Sequence, residues 1–227
     1  MKIARNMRCR RNQGSFTSGD FTFDRTSDFI YLGTNLNENN LVEVEIIKRL
    51  QAGNRAYYGC INLLGSRRLS RSTKLRIYNA VIRPVVTYGC EAWTIRKSDN
   101  MRLEVFENKV LRKIVGPICD PEWRRRTNIE LRQATNQVKI TDFIRQRRLQ
   151  WAGHVARMDP FKYPNRALHH RERGKRPKGR PRNRWTDDVR KDVGRQAPWH
   201  QLAQDRDAWR DIIAEAKSRR STHAPSS

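Results

Sequence analysis

The sequence predicts a mostly helical protein with one small β-hairpin near its N-terminus and a basic, partly disordered arm before its C-terminal helices. Apolar residues recur at steps of three and four from about residue 39 to residue 158, and again after residue 185. That period is typical of helices with one buried face. Strand-like alternation is strong only around residues 21–32. Residues 159–184 combine basic side chains with prolines and glycines and have almost no period, as an arm or linker does.

The first elements predicted are strands. Residues 1–15 are polar and basic, and we expect them to be flexible. Phe21 and Phe23 alternate with polar residues, and an apolar run from Phe29 to Leu32 follows a polar turn. The pattern predicts a β-hairpin within residues 16–36, whose second strand ends at Gly33.

A helical domain is predicted over residues 37–118. Its first helix has one apolar face, and its second begins at Ser70 or Ser72, because either hydroxyl can cap exposed backbone N–H groups. Pro84 should kink the second helix because proline lacks a backbone donor. The face of the first helix consists of Ile47, Leu50, Asn54, Tyr57, Ile61 and Leu64.

A third helix should begin near Ser98-Asp99 and end at Gly116-Pro117.

In the C-terminal half, Trp151 and Trp209 lie on apolar stripes, so we expect both rings in a core. The remaining predicted boundaries are a helical extension at 119–158 with helices at 128–135 and 139–158, the basic arm at 159–184, C-terminal helices at 185–217 (near 186–195 and 198–217) and a disordered tail at 218–227.

The charge balance indicates a polyanionic partner. The 227 residues contain 48 Lys+Arg against 23 Asp+Glu, a formal net charge of +25. Such an excess repels itself unless an anion neutralises it. The charge runs along the whole chain rather than along one amphipathic helix, which favours nucleic acid over a membrane surface. The start of the chain has no apolar stretch of the kind that a secretory signal needs, so we do not expect secretion.

No self-sufficient catalytic or metal constellation is evident. The four cysteines are widely spaced, which disfavours a zinc site and favours ordinary buried thiols. The adjacent acids Asp187 and Asp188 could hold a divalent ion. Helical spacing follows them, however, so the first turn of a helix is the favoured interpretation, because acids there complement the helix dipole.

Candidate nucleic-acid contacts are basic residues, several of them near aromatic rings. Lys and Arg neutralise phosphates, and exposed aromatics stack on unpaired bases. The alternative is that the tryptophans are core anchors and the arginines a solvated face. The candidates are Arg67, Arg68, Arg71, Lys74, Arg124, Arg125, Arg126, Arg147, Arg148, Lys175, Arg176, Lys178, Arg180, Arg182 and Arg184.

The basic arm carries two short motifs. Lys175-Arg176-Pro177-Lys178 fits a nuclear-import signal, so we expect a nuclear protein, or otherwise a cytoplasmic one. Lys178-Gly179-Arg180-Pro181-Arg182 resembles an AT-hook, which lies in a narrow minor groove where the negative potential is enhanced.

Several spaced motifs together resemble a known family. They are FIYLG at 29–33, NRAYYG at 54–59, LSRSTKLRIYNAVIRPVVTYGCEAWT at 69–94, ENKVLRKIVGP at 107–117, RLQWAGHVARM at 148–158 and GRPRNRWTDDV at 179–189. In this order they are similar to the C-terminal part of reverse transcriptases of RTE-like non-long-terminal-repeat retrotransposons. The resemblance implies that Tyr31-Leu32-Gly33 ends a primer-grip hairpin. It also implies that residues 39–116 form a thumb and residues 124–217 a basic C-terminal extension.

The sequence departs from that family at the catalytic centre. The family's Tyr-Ala-Asp-Asp box is missing, and with it the palm that would bind Mg²⁺, so we expect no cofactor and no catalysis by this chain alone. The expected role is sequence-nonspecific binding of template–primer RNA, DNA or hybrid duplex, with a palm-bearing polymerase as a partner in trans. The alternatives are a domesticated nuclear nucleic-acid-binding or adaptor protein without catalysis, and an inert pseudogene product.

Overall fold

The computed structural model describes residues 15–24, 26–39, 41–170, 183–194 and 198–218. The described part of the chain starts with short antiparallel strands and continues as α-helices of between four and nineteen residues, with one more two-residue strand pair between them. The predicted fold class, mostly helical with a small N-terminal antiparallel strand pair, is confirmed. The basic arm at 171–182, with its two motifs, lies outside the described residues.

The N-terminal strands form two hairpins and not the single one predicted. Strands β1 (Phe16–Ser18) and β2 (Phe21–Phe23) pair with each other, and so do β3 (Asp28–Tyr31) and β4 (Thr34–Asn37). Each pair is joined by a two-residue loop, and such tight loops need positive φ. Leu32 and Gly33 supply it with φ values of 48° and 76°. Gly33 is therefore the turn of the second hairpin and not the end of a strand.

The helical body begins with α1 (Val42–Gly59) and α2 (Ile61–Gly65). After a loop, α3 (Arg71–Ile77) runs through a π-helical turn (Tyr78–Ile82) into α4 (Arg83–Val86). Ser70 caps α3 as predicted, since its Oγ accepts the Thr73 N–H at 3.2 Å. The π-helical turn lies just before Pro84, where the missing N–H interrupts the helical ladder.

Helix α5 (Lys97–Val115) follows a short 3₁₀ turn at Cys90–Ala92. It begins slightly before the predicted cap, because the Asp99 carboxylate accepts the Arg96 N–H at 3.3 Å. Gly53 lets α1, α4 and α5 approach closely, since a Cβ there would lie 2.3 Å from Val86 Cγ2 and 3.1 Å from Phe106 Cζ.

The next elements are β5 (Ile118–Cys119), β6 (Trp123–Arg124), α6 (Asn128–Thr135) and α7 (Ile140–Ala156). Both helices were predicted. The start of α7 completes a first core, in which its Ile140 and Ile144 pack with buried side chains of α1 to α5: Ile46, Tyr57, Leu64, Tyr78, Ile82, Val86, Leu103, Phe106, Val110 and Leu111.

Helix α8 (Tyr163–His169) lies inside the segment predicted as an arm, so the first part of that segment is helical. The closing elements are α9 (Trp185–Val193), α10 (Trp199–Leu202) and α11 (Arg206–Ser218). The single helix expected at 198–217 is two helices, because Asp205 Oδ1 caps α11 by accepting the Asp207 N–H at 2.9 Å.

The C-terminal helices and the second half of α7 build a second core. Trp209 is buried there as predicted, and its Nε1 donates to the Leu149 carbonyl at 3.0 Å. Trp151 was also predicted to be buried, but it is 37% exposed. The reason is that α7 turns Leu149 and Ala152 toward the second core, which leaves Trp151 at the edge of that face.

Candidate nucleic-acid interface

The turn at Tyr31-Leu32-Gly33 is exposed and fixed to the helical body. The Tyr31 and Leu32 side chains are 58% and 73% exposed. The Leu32 carbonyl accepts the Tyr88 hydroxyl at 3.1 Å, and the Gly33 carbonyl accepts Arg49 Nη2 at 2.5 Å. Two hydrogen bonds from the body thus hold a turn whose apolar side chains point into solvent.

The buried carboxylate of Glu45 helps to fix that turn through hydrogen bonds to Asn35 and Arg49. Glu45 is 3% exposed, and its Oε2 accepts the Asn35 N–H of β4 at 2.7 Å. Its Oε1 accepts Arg49 Nε at 2.6 Å, and the Arg49 guanidinium lies 4.5 Å from the centre of the Tyr88 ring. Glu45 therefore orients Arg49, which in turn holds Gly33.

The end of α2 and the segment after β6 both contact the last turn of α5. We call the cations of these three segments the basic end: Arg67, Arg68, Arg112, Lys113, Arg125 and Arg126. Arg67 and Arg68 are exposed in the loop between α2 and α3. A Cβ added at Gly65 would lie 3.3 Å from Lys113 Nζ, which places that loop against the last turn of α5. Arg71, another predicted contact, is not part of this group, because its Nη1 donates to the Ala134 carbonyl at 3.4 Å near the end of α6, whereas Arg112 contacts Asn128 at the start of that helix.

The segment after β6 supplies the other members of the basic end. Arg112 Nη2 donates to Asn128 Oδ1 at 2.7 Å, and Arg126 Nε donates to the Gly116 carbonyl at 3.3 Å. Burial, followed by the charge of Arg125, lowers the pKa of Arg112 from its ordinary value. Within the described part of the chain, no carboxylate forms an ion pair with any member of the basic end. The group is therefore a concentration of uncompensated charge.

Arg124, by contrast, is already neutralised. Its guanidinium contacts Glu130 Oε1 at 2.7 Å and Asp120 Oδ2 at 3.3 Å. The hydrogen bond from Arg124, helped by the Thr127 N–H, lowers the pKa of Glu130 to about 2. Trp123 beside it is 74% exposed, so an aromatic ring faces solvent next to the basic end.

Two of the predicted contacts are internal. Arg148 is 6% exposed, and its guanidinium contacts the Trp93 carbonyl at 2.9 Å, Asp188 at 3.3 Å and Asp192 at 2.7 Å. Lys74 is 9% exposed. Both were predicted as surface contacts for nucleic acid. Arg148 instead joins α7 to α9 and to the loop before α5, because the face of α7 that carries it packs on α9.

The remaining predicted contacts are scattered. Arg147 is exposed on α7, and Arg184 is exposed at the start of α9. Neither belongs to the basic end. Five candidates lie outside the described residues: Lys175, Arg176, Lys178, Arg180 and Arg182.

The acid pair begins a helix, as favoured by the sequence. The Asp187 carboxylate accepts the Arg184 N–H at 3.1 Å, and both acids lie in the first turn of α9. Burial raises the pKa of Asp188, while Arg148 opposes that shift. Among the residues that the structure describes, no group of three His, Cys, Asp or Glu side chains is placed to hold a metal ion.

Sequence reasoning missed Arg112 and Lys113 as members of the basic end. Both lie in the last turn of α5, where cations commonly complement the helix dipole. Their position in the sequence therefore did not indicate a role in binding. Only the packing of α2 and the β6 segment around that turn brings them together with Arg67 and Arg125. None of the described helices is long and apolar enough to cross a membrane.

Comparisons with known proteins define the class of the chain. No protein-family model and no solved structure matches it. It is 30% identical over 223 residues to the transposon-derived protein F52C9.6 of Caenorhabditis elegans, in an alignment that covers 93% of this chain and 80% of that protein. The chain belongs to this family of transposon-derived proteins.

Proposed function

We propose that the chain derives from the reverse transcriptase of a non-long-terminal-repeat retrotransposon and binds nucleic-acid backbone through the basic end, without reading sequence. The transposon-derived relative supports a transposon origin. The ordered motifs from FIYLG to GRPRNRWTDDV support the reverse-transcriptase lineage. No step of polymerisation is assigned to the described residues.

One observation carries the binding function. The basic end presents Arg67, Arg68 and Arg125 as exposed guanidiniums without a carboxylate partner in the described ranges. Elsewhere, arginines such as Arg102, Arg124 and Arg148 are paired with acids at 3.3 Å or less. Guanidinium groups form bidentate bonds with phosphate oxygens, and a cluster without internal counterions favours a polyanion.

The chemistry of the surface explains why binding should not depend on sequence. Phosphate contacts position a protein on nucleic acid but do not distinguish bases. Trp123 adds an exposed ring on which an unpaired base of any kind can stack. We therefore expect duplexes and single strands of unrelated sequence to bind with similar affinity.

The test is a triple variant, Arg67→Gln, Arg68→Gln and Arg125→Gln, titrated with a fluorescent DNA duplex and with an RNA–DNA hybrid at constant salt. Each lost phosphate contact should weaken binding about tenfold, because hydrogen bonds to charged groups contribute about 1.5–3 kcal/mol. The triple variant should therefore bind about a thousandfold more weakly.

The matched control removes the same charge elsewhere. Lys48, Arg55 and Lys97 are exposed on α1 and at the start of α5. Changing all three to Gln should weaken binding less than the triple variant of the basic end does, because only the net charge falls and no phosphate contact is lost. Equal losses in the two variants would contradict a defined interface and indicate diffuse attraction to a +25 protein.

A second function, protein contact through the hairpins, is favoured by their exposed apolar surface. Large apolar side chains there are 44–73% exposed: Phe16, Phe21, Phe23, Phe29, Ile30, Tyr31 and Leu32. Several large apolar side chains exposed on one short segment are typical of interaction sites. The partner that the family resemblance suggests is a palm-bearing polymerase domain. The test is co-purification with a reverse-transcriptase palm fragment. Binding should be lost when Phe21 and Ile30 become Ser, and retention would contradict this role.

A further inference from the structure

A second positively charged site lies in a cleft far along the chain from the basic end. The cleft has a volume of about 530 Å³ and opens between the end of α7, the loop into α8 and helix α11. Volumes of this size are typical of small-molecule sites. Its lining residues are Gln150, His154, Arg157, Met158, Asp159, Lys162, Arg206, Trp209, Arg210 and Ile213.

Four cations face one carboxylate in this cleft. Arg157 Nη1 donates to the Ala203 carbonyl at 2.5 Å, which fixes the guanidinium at the cleft wall. Burial, followed by the charges of Arg206 and Arg210, lowers the pKa of Arg157. Arg206 and Arg210 are thus both close enough to repel the Arg157 guanidinium. Repulsion of this kind is relieved when an anion binds between them.

The nearby carboxylates do not cancel that charge. Asp159 Oδ1 accepts the Phe161 N–H at 2.8 Å and helps to shape the loop before α8. Asp207 pairs with Arg210 at 2.5 Å. Lys162 and Arg206 are exposed, and no carboxylate in the described segments forms an ion pair with either. Two cations therefore remain free to bind a ligand.

The cleft is not purely polar. Met158 and Ile213 line it, and the buried Trp209 ring forms part of its floor. The Trp209 Nε1 donates to the Leu149 carbonyl, so Trp209 offers no hydrogen-bond donor to a ligand, and the apolar lining is provided by Met158 and Ile213. A ligand that fits the whole cleft combines a multiply charged anion with a flat or apolar group.

We propose that this cleft binds the phosphate ester of a nucleotide, with Lys162, Arg157 and Arg206 on the phosphate and the sugar or base against Met158 and Ile213. The phosphate can belong to a free mononucleotide or to a nucleic-acid strand. The site is separate from the basic end, and its residues lie in α7, α11 and the loop before α8.

The test is calorimetric titration of the full chain, at low salt, with four compounds: adenosine 5′-monophosphate, adenosine, inorganic phosphate, and a trinucleotide that lacks terminal phosphates. The variant is Lys162→Gln with Arg206→Gln. Its control is Lys97→Gln with Arg55→Gln, which removes one lysine and one arginine from exposed positions elsewhere. Thermal melts establish that both variants are folded.

The monophosphate or the trinucleotide should bind at least about tenfold more weakly to the cleft variant than to the control. Loss with the monophosphate indicates a free nucleotide, and loss with the trinucleotide alone indicates a strand. Adenosine or inorganic phosphate binding as tightly as both the monophosphate and the trinucleotide would contradict the proposal, as would equal binding of these two ligands by the cleft variant and the control. The triple variant of the basic end should still bind the ligand, so the two sites can fail independently.

Discussion

Replacing Arg148 with methionine should strongly destabilise the protein, because it leaves buried partners without a cation. The Arg148 side chain is 8% exposed and those of Asp188 and Asp192 are 10% and 8% exposed. The substitution keeps the length of the aliphatic stem and removes only the guanidinium. It also removes the donor that the Trp93 carbonyl accepts at 2.9 Å.

The expected cost follows from these contacts. Breaking a buried ion pair by removing one partner costs about 3–5 kcal/mol, because an uncompensated charge stays behind. Asp192 retains Arg145, whose Nε lies 2.9 Å from it, so only Asp188 loses its guanidinium entirely. We therefore expect a loss at the lower end, about 3 kcal/mol in the free energy of unfolding.

Urea denaturation followed by circular dichroism measures this loss, and Arg147→Met is the control. Arg147 is the next residue on α7 but is exposed, so its change should cost less than about 0.5 kcal/mol. If the free energy of unfolding of Arg148→Met lies within about 0.5 kcal/mol of the wild-type value, the buried ion network does not join α7 to α9 as described.

Three further changes have direct readouts. Gly153→Ala should cost about 1–3 kcal/mol in a thermal or urea melt, because the new Cβ would lie 2.2 Å from Trp209 Nε1; a neutral result would refute the close packing of α7 on α11. Glu130 contributes stability that is fully present above its ordinary pKa of 4.5 and is lost as the pH falls toward about 2. Glu130→Gln should therefore flatten the pH dependence of the melting temperature in that window, and an unchanged dependence would argue against the Arg124 pairing. Ser70→Ala should cost about 0.5–2 kcal/mol through the lost cap of α3, and a smaller loss in urea would show that the cap is dispensable.

Local signals in the sequence account for much of the fold. The helical period predicted α6 and α7 closely, and the hydroxyl at Ser70 predicted the start of α3. Caps and periods act within a few residues, so they can be identified without knowing what packs against the helix. The prediction of a single N-terminal hairpin was wrong, because the strands form two hairpins. Leu32 adopts a φ of 48° in the turn. Positive φ is typical of Gly, Asn and Asp, so a leucine at this position does not predict a turn.

The candidate site was less predictable because it depends on packing between distant segments. Arg147 and Arg148 are adjacent and chemically identical, yet one is exposed and the other is buried in an ion network. Arg147 and Arg148 differ in exposure because only the face of α7 that carries Arg148 packs on α9. The helical period does not predict which helix packs on that face. For the same reason, Arg112 joins Arg125 only once α5 and the β6 segment are packed together.

The salt dependence of binding tests the central claim most directly. The logarithm of the association constant for duplex DNA should fall linearly with the logarithm of salt concentration, by about 0.9 for each phosphate neutralised. If Arg67, Arg68 and Arg125 each contact a phosphate, the slope for their triple Gln variant should be smaller in magnitude than the wild-type slope by up to about 2.7. A slope equal to that of the wild-type protein would contradict a phosphate-binding role for the basic end.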